Sequence, residues 1–203
     1  MNKSKIFTIL FAAFCVLVAV FFANNMLNSM QEAAVKQPAQ SETMGPIGFD
    51  YTLTDQDGES FKRSQLDGQY QLVYFGFTYC PDICPVELTR ISEAMKALGA
   101  DAAKVTPVFI SVDPVRDTPE VLQPYLSNYH DRFVGLTGTE AQIDKVIESY
   151  KVYAKKVDDP NHAEYMVDHS SFIYLIDPQQ ELLKLFHKED TPADIAKYIR
   201  TRF

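Results

Sequence analysis

The sequence predicts an α/β domain with a mixed central sheet, an N-terminal β-hairpin and an apolar segment ahead of both. Three observations carry that prediction. Apolar, β-branched runs alternate with segments of helical periodicity from about residue 70 onward. The last two strand-like runs are separated by a tight turn, which adds an antiparallel edge to a crossover-connected sheet. One aromatic strand, Tyr74-Phe75-Gly76-Phe77, runs directly into Cys80-Pro81-Asp82-Ile83-Cys84-Pro85 at the start of a helix. A dithiol at the junction of the first core strand and its helix, within that order of elements, points to a thioredoxin-like fold.

The apolar segment comes first in the chain. Lys3 and Lys5 precede an uninterrupted apolar run from Ile6 to Ala23, and roughly 18 such residues can span a bilayer. The flanking lysines place the amino terminus on the cytoplasmic side. Asn24-Asn25-Met26-Leu27 offers no small-x-small cleavage site, so an uncleaved anchor is expected. Cys15 lies inside this run behind Phe14, where a lipoprotein signal needs a small residue, and reads as an apolar membrane residue. The expected organisation is a cytoplasmic N-terminus (1–5), a transmembrane anchor (6–23), a polar, proline-containing tether (24–45) and one folded domain (46–203). The chain is thus expected to be a single-pass protein of the inner (cytoplasmic) membrane, its domain on the periplasmic side. Cysteines there meet oxidising conditions. With 203 residues, 46% of them hydrophobic, the chain can bury one well-packed core. The net charge of −8 and the absence of a basic stripe exclude nucleic acid as a partner.

Within the domain, Phe49–Thr54 and Glu59–Lys62 alternate around Asp55-Gln56-Asp57-Gly58 and form the predicted hairpin. Gln71–Phe77 is a buried strand. A helix is expected from Pro85 to Leu98, stopped by Gly99. Val105–Val112 is the second core strand, followed by the loop Asp113-Pro114-Val115-Arg116-Asp117-Thr118-Pro119. Thr118 as N-cap and Pro119 at the first helical position start a helix expected to reach Tyr129. Phe133–Gly138 is a short strand and loop, and Thr139–Gln142 opens a helix to Tyr150. Val152–Val157 is a candidate strand. Ser171–Ile176 and Glu181–Phe186 make the closing hairpin around Asp177–Gln180, and Thr191-Pro192-Ala193-Asp194 caps the last helix.

Cys80 and Cys84 carry the chemistry. If Cys84 lies in the first helical turn, the unpaired N–H groups and the positive helix end favour thiolate there. Two such sulfurs can cycle as a disulfide or hold a soft metal. A purely structural disulfide is disfavoured, because so short a loop removes little unfolded-state entropy. A metal needs a third ligand, and two thiolates with one imidazole suit Cu(I). His169, at the entrance to a core strand, is the candidate; His130, His162 and His187 read as solvated side chains. No fourth ligand completes a structural zinc set.

Gly76–Pro85 resembles the signature of the Sco/SenC family, membrane-anchored copper proteins used in assembling cytochrome c oxidase. So do Ser111–Pro119 and Val167-Asp168-His169-Ser170, in the same order, over about residues 47–203. The resemblance implies that Cys80, Cys84 and His169 bind one copper ion per domain, as Cu(I) or Cu(II). It implies a metallochaperone rather than an enzyme, with the CuA-bearing oxidase subunit as partner and other periplasmic copper chaperones or thiol reductants as further ones. The alternative is a thiol–disulfide oxidoreductase that reduces the CuA cysteines or those of other exported proteins, with Cys80 and Cys84 as its redox pair. A peroxidase on this fold fits a proline-flanked cysteine pair poorly. For Asp113, Arg116 and Asp117 two readings stand: a docking or charge-balancing role, or a helix-entry loop with an internal ion pair.

Overall fold

The strand that delivers the cysteines lies near the middle of a seven-stranded sheet. The computed structural model describes residues 47–203 other than 49 and 159–163, together with Phe22. In chain order the sheet contains β1 (Thr52–Asp55), β2 (Ser60–Lys62), β3 (Tyr70–Gly76), β4 (Val105–Ser111) and β5 (Val134–Thr137). It is completed by β8 (Ile173–Ile176) and β9 (Leu182–Phe186). The spatial order is β2-β1-β5-β4-β3-β8-β9. Strands β3, β4 and β5 run parallel, and every other pairing is antiparallel. The sheet is therefore mixed, with the predicted N-terminal hairpin at one edge. It is antiparallel at both edges, where the sequence pointed to one.

Leu72, Val73, Tyr74 and Phe75 of β3 are all fully buried. A central strand covered on both faces needs this continuous apolar run rather than an alternating one. Helix α1 (Ile83–Leu98) covers the site end of β3 and turns Leu88, Ile91, Met95 and Leu98 into the core. Each such side chain contributes about 1.5–3 kcal/mol of burial free energy. The same helix buries an ion pair, Glu87 with Arg90, and Arg90 also donates to the carbonyls of His187 (2.6 Å) and Asp190 (3.2 Å). These bonds lock α1 to the segment before α4 (Pro192–Arg200), whose Ile195 and Ile199 pack into the same core. Helix α4 and helix α3 (Glu140–Ser149) begin with reciprocal capping boxes, Thr191 with Asp194 and Thr139 with Gln142.

Two features depart from the expected elements. Helix α2 (Pro119–Leu126) stops three residues before Tyr129. The Ser127 hydroxyl and the Asn128 amide both bond the Pro124 carbonyl (2.8 and 2.9 Å). Short polar side chains thus take up its terminal acceptors and end the helix. His169 does stand ahead of a core strand, β8, but residues 166–169 are themselves a strand that the sequence did not predict. They form β7 (Met166–His169), which pairs antiparallel with β6 (Ala154–Val157) in a separate two-stranded ribbon. The predicted anchor at 6–23 (Phe22 apart) and tether at 24–45 lie outside the described residues. Among the described residues no helix is long and apolar enough to cross a membrane.

Candidate metal centre

Helix α1 begins at Ile83, two residues before the expected start, and so places Cys84 in its first turn. Its N-cap, Asp82, makes no side-chain capping bond. The backbone N–H of Cys84 instead donates to Cys80 Sγ at 3.4 Å, so a sulfur occupies the acceptor position that a capping oxygen ordinarily fills. No disulfide joins the two cysteines; Cys84 is buried and Cys80 half-buried.

His169 comes to the same point from the end of β7. Its Nε2 lies 3.6 Å from Cys84 Sγ, and its Nδ1 lies 2.9 Å from the Ser170 carbonyl oxygen. A carbonyl only accepts, so Nδ1 carries a proton there, and Nε2 is the ring nitrogen turned to the sulfurs. The ring is held edge-on between Tyr74 (6.2 Å) and Phe77 (5.8 Å). The three donor atoms all lie within 4.8 Å of one another, the one such group among the described residues. Ligand atoms around a trigonal ion with bonds of roughly 2.0–2.3 Å stand about 3.5–4 Å apart. The cluster needs only a small contraction to close on a metal, and its two soft sulfurs and one imidazole suit copper. His130 and His187 lie outside the cluster, and His162 falls outside the described residues.

The two thiols are electrostatically unlike. The hydrogen bond from Cys84, aided by His169 and the first-turn backbone N–H groups, holds Cys80 well below the usual thiol range, against the opposing effect of burial. The same interaction with Cys80, reinforced by burial and by the neighbouring negative charge, pushes the Cys84 thiol up. The pair therefore gives up its first proton readily and its second reluctantly. One expected consequence is selective alkylation. At pH 6 iodoacetamide should modify Cys80 and leave Cys84 intact, as peptide mass spectrometry would show; equal labelling of both would contradict this asymmetry.

Tyr74 and Gly76 are participants that sequence reasoning missed. They share one face of β3 by strand alternation, and the Tyr74 hydroxyl donates to Cys84 Sγ at 3.6 Å. A Cβ on Gly76 would stand 2.9 Å from Cys84 Sγ, 2.9 Å from Tyr74 and 3.0 Å from Phe109. The signal available was the i, i+2 spacing of Tyr74 and Gly76 just before the dithiol. Gly76→Ala is expected to displace Cys84 and destabilise the fold by about 1–3 kcal/mol, read as a lowered urea midpoint.

Asp113, Arg116 and Asp117 form the internal ion-pair loop rather than a surface for docking. Asp113 and Asp117 are fully buried, and Arg116 pairs with Asp113. Asp117 accepts from the Thr78 N–H (3.1 Å), the Thr78 hydroxyl (2.6 Å) and the Ser111 hydroxyl (2.6 Å). It thereby ties the segment before Cys80 to the end of β4.

Residues 39–203 match the model of a protein family described as SCO1/SenC. The chain belongs to the SCO1/SenC family. It is 46% identical over 158 residues to a SCO2-like protein of Rickettsia felis, covering 76% of each chain. Among solved structures, that of Bradyrhizobium japonicum ScoI with copper bound superposes with a TM-score of 0.72 at 43% identity. The match covers 77% of this chain and 99% of that one. BsSco, a Sco family member in which a disulfide switch was identified, superposes at 0.62 with 29% identity, covering 79% and 95%. BsSco is described as belonging to a family of cytochrome c oxidase assembly proteins. The predicted thioredoxin-like arrangement is thus the fold of the Sco proteins, with the dithiol at the β3–α1 junction.

Proposed function

We propose that this protein is a copper chaperone for cytochrome c oxidase assembly, taking one copper ion on Cys80, Cys84 and His169. The observation that carries this reading is the convergence of two soft sulfurs and one imidazole, with Nε2 of His169 turned to the sulfurs. The copper-bound ScoI relative supports it. In the fuller reading the apolar run Ile6–Ala23 anchors the chain in the inner membrane. The domain then works on the periplasmic side and passes copper to the CuA-bearing subunit. Transfer proceeds by ligand exchange: thiolates of the acceptor replace Cys80, Cys84 and His169 one at a time, so the ion is never free. Cys80, half-buried and readily ionised, is the ligand an incoming thiolate meets first.

Titrating the reduced full-length chain with copper tests the site. One ion per chain is expected, with a sulfur-to-Cu(II) charge-transfer band in the oxidised complex. Binding below that stoichiometry, beside a rapidly cycled Cys80–Cys84 disulfide, would favour a thiol–disulfide oxidoreductase. The unlike acidities of the two thiols and the disulfide switch of BsSco support that second reading. There Cys80 attacks a substrate disulfide and Cys84 resolves the mixed disulfide.

A further inference from the structure

We propose that the loop between β4 and α2 is a two-armed brace, and that Arg116 is the positioning residue that keeps His169 within reach of the sulfurs. The proposal rests on the three-ligand reading above. His169 is carried by a ribbon of two short strands, and Val167 is its one fully buried residue. A two-stranded ribbon alone is marginal in water, so the position of His169 depends on what fastens β7 to the domain.

The fastening is at Tyr165, immediately before β7. Its hydroxyl donates to Asp113 Oδ1 at 2.7 Å, while the Arg116 guanidinium binds the other carboxylate oxygen of Asp113. Arg116 Nη1 also donates to the Tyr165 carbonyl at 3.0 Å, and the guanidinium lies over the Tyr165 ring at 3.8 Å. The same guanidinium lies 4.7 Å from the ring of Tyr79, the residue before Cys80, and 5.8 Å from Phe77, which packs on His169. Asp113 is fully buried and the Arg116 side chain is 11% exposed, so this clasp is little screened by solvent. Among the described residues Lys156 of the ribbon also lies 5.2 Å from the Tyr165 ring and pairs with Glu140, but that pair is 44% and 63% exposed and worth little. Three residues of one loop therefore hold both halves of the donor set. Asp117 grips the cysteine segment through Thr78, and Asp113 with Arg116 grips the histidine strand through Tyr165.

The test uses the full-length chain with Arg116→Gln, Tyr165→Phe and the control Glu140→Gln, each alone and combined with His169→Ala. The probes are Cu(II) ions and amide hydrogen exchange of the metal-free chain. Arg116→Gln is expected to weaken copper binding by about tenfold to a hundredfold, as loss of groups that orient a ligand does. It should also remove the imidazole nitrogen splitting from the Cu(II) EPR spectrum and speed exchange at the β7 amides, leaving β3 and β4 unchanged. Tyr165→Phe should act in the same direction, more weakly, and Glu140→Gln should do neither. In the His169→Ala background, Arg116→Gln should cost no further affinity. Unchanged β7 exchange, or an affinity loss that persists in full without His169, would overturn the brace. If Arg116→Gln also speeds β3 and β4, Tyr165→Phe decides by the same criteria. If the native chain binds no copper, the copper reading fails, and β7 exchange alone upholds or overturns the brace.

Discussion

Cys84→Ser is expected to weaken copper binding by more than about a hundredfold, or roughly 2.8 kcal/mol. Cys84 is central to the donor set: it is buried, lies 3.6 Å from His169 Nε2, and its own N–H fixes Cys80. A serine hydroxyl is a hard, neutral donor that copper(I) takes poorly in place of thiolate. Cys80→Ser should lose binding for the same reason. His169→Ala separates the two functional readings. It removes the third ligand and should cost copper affinity, yet it leaves both thiols in place to cycle against a disulfide substrate. Isothermal titration with copper, run beside a thiol-exchange assay on the same variants, gives both readouts. Retention of one tightly bound ion in Cys84→Ser would refute the site assignment.

Asp117→Ala is expected to have the largest effect on stability, about 3–5 kcal/mol. The carboxylate is fully buried and accepts from three donors, the buried Ser111 hydroxyl and the half-buried N–H and hydroxyl of Thr78, all of which would lose their acceptor. Each buried donor stranded in this way costs about 1–3 kcal/mol. Asp117→Asn should be milder, because one oxygen still meets Thr78 and the Ser111 hydroxyl can turn to accept from the new amide. Chemical denaturation of the three proteins measures the order. An alanine variant within about 0.5 kcal/mol of the native protein, the ordinary range for a surface substitution, would show that the donors find other partners.

The cysteine end of this site was legible in the sequence because its determinants are local. A buried aromatic strand, a proline-flanked dithiol and a helical run occupy one continuous stretch, and the helix places Cys84 in its first turn. The capping boxes and the closing hairpin were local for the same reason. The histidine end was harder. Strand β7 has one buried residue, Val167, and its polar Asp168 and His169 mask any alternation. Its partner β6 lies within the candidate strand Val152–Val157, but the ribbon stands apart from the main sheet, so nothing in the sequence pairs the two. The role of Asp117 was legible only in part, since the sequence offered an internal ion pair for this loop but no hydrogen-bond partners for Asp117. Only the tertiary approach of Thr78 and Ser111 reveals it as an interior acceptor.

Cys84 and His169 are 85 positions apart in the chain and meet at 3.6 Å, and the loop that braces them lies between. Closing so long a loop is an entropic cost met only when the strands between are in place. During synthesis the dithiol emerges well before its third partner, and until β7 docks the chain offers bare thiols to whatever oxidant or disulfide it meets. The metal centre is thus a late product of folding, and a bound ion reports that the whole domain, through its ribbon, has been assembled.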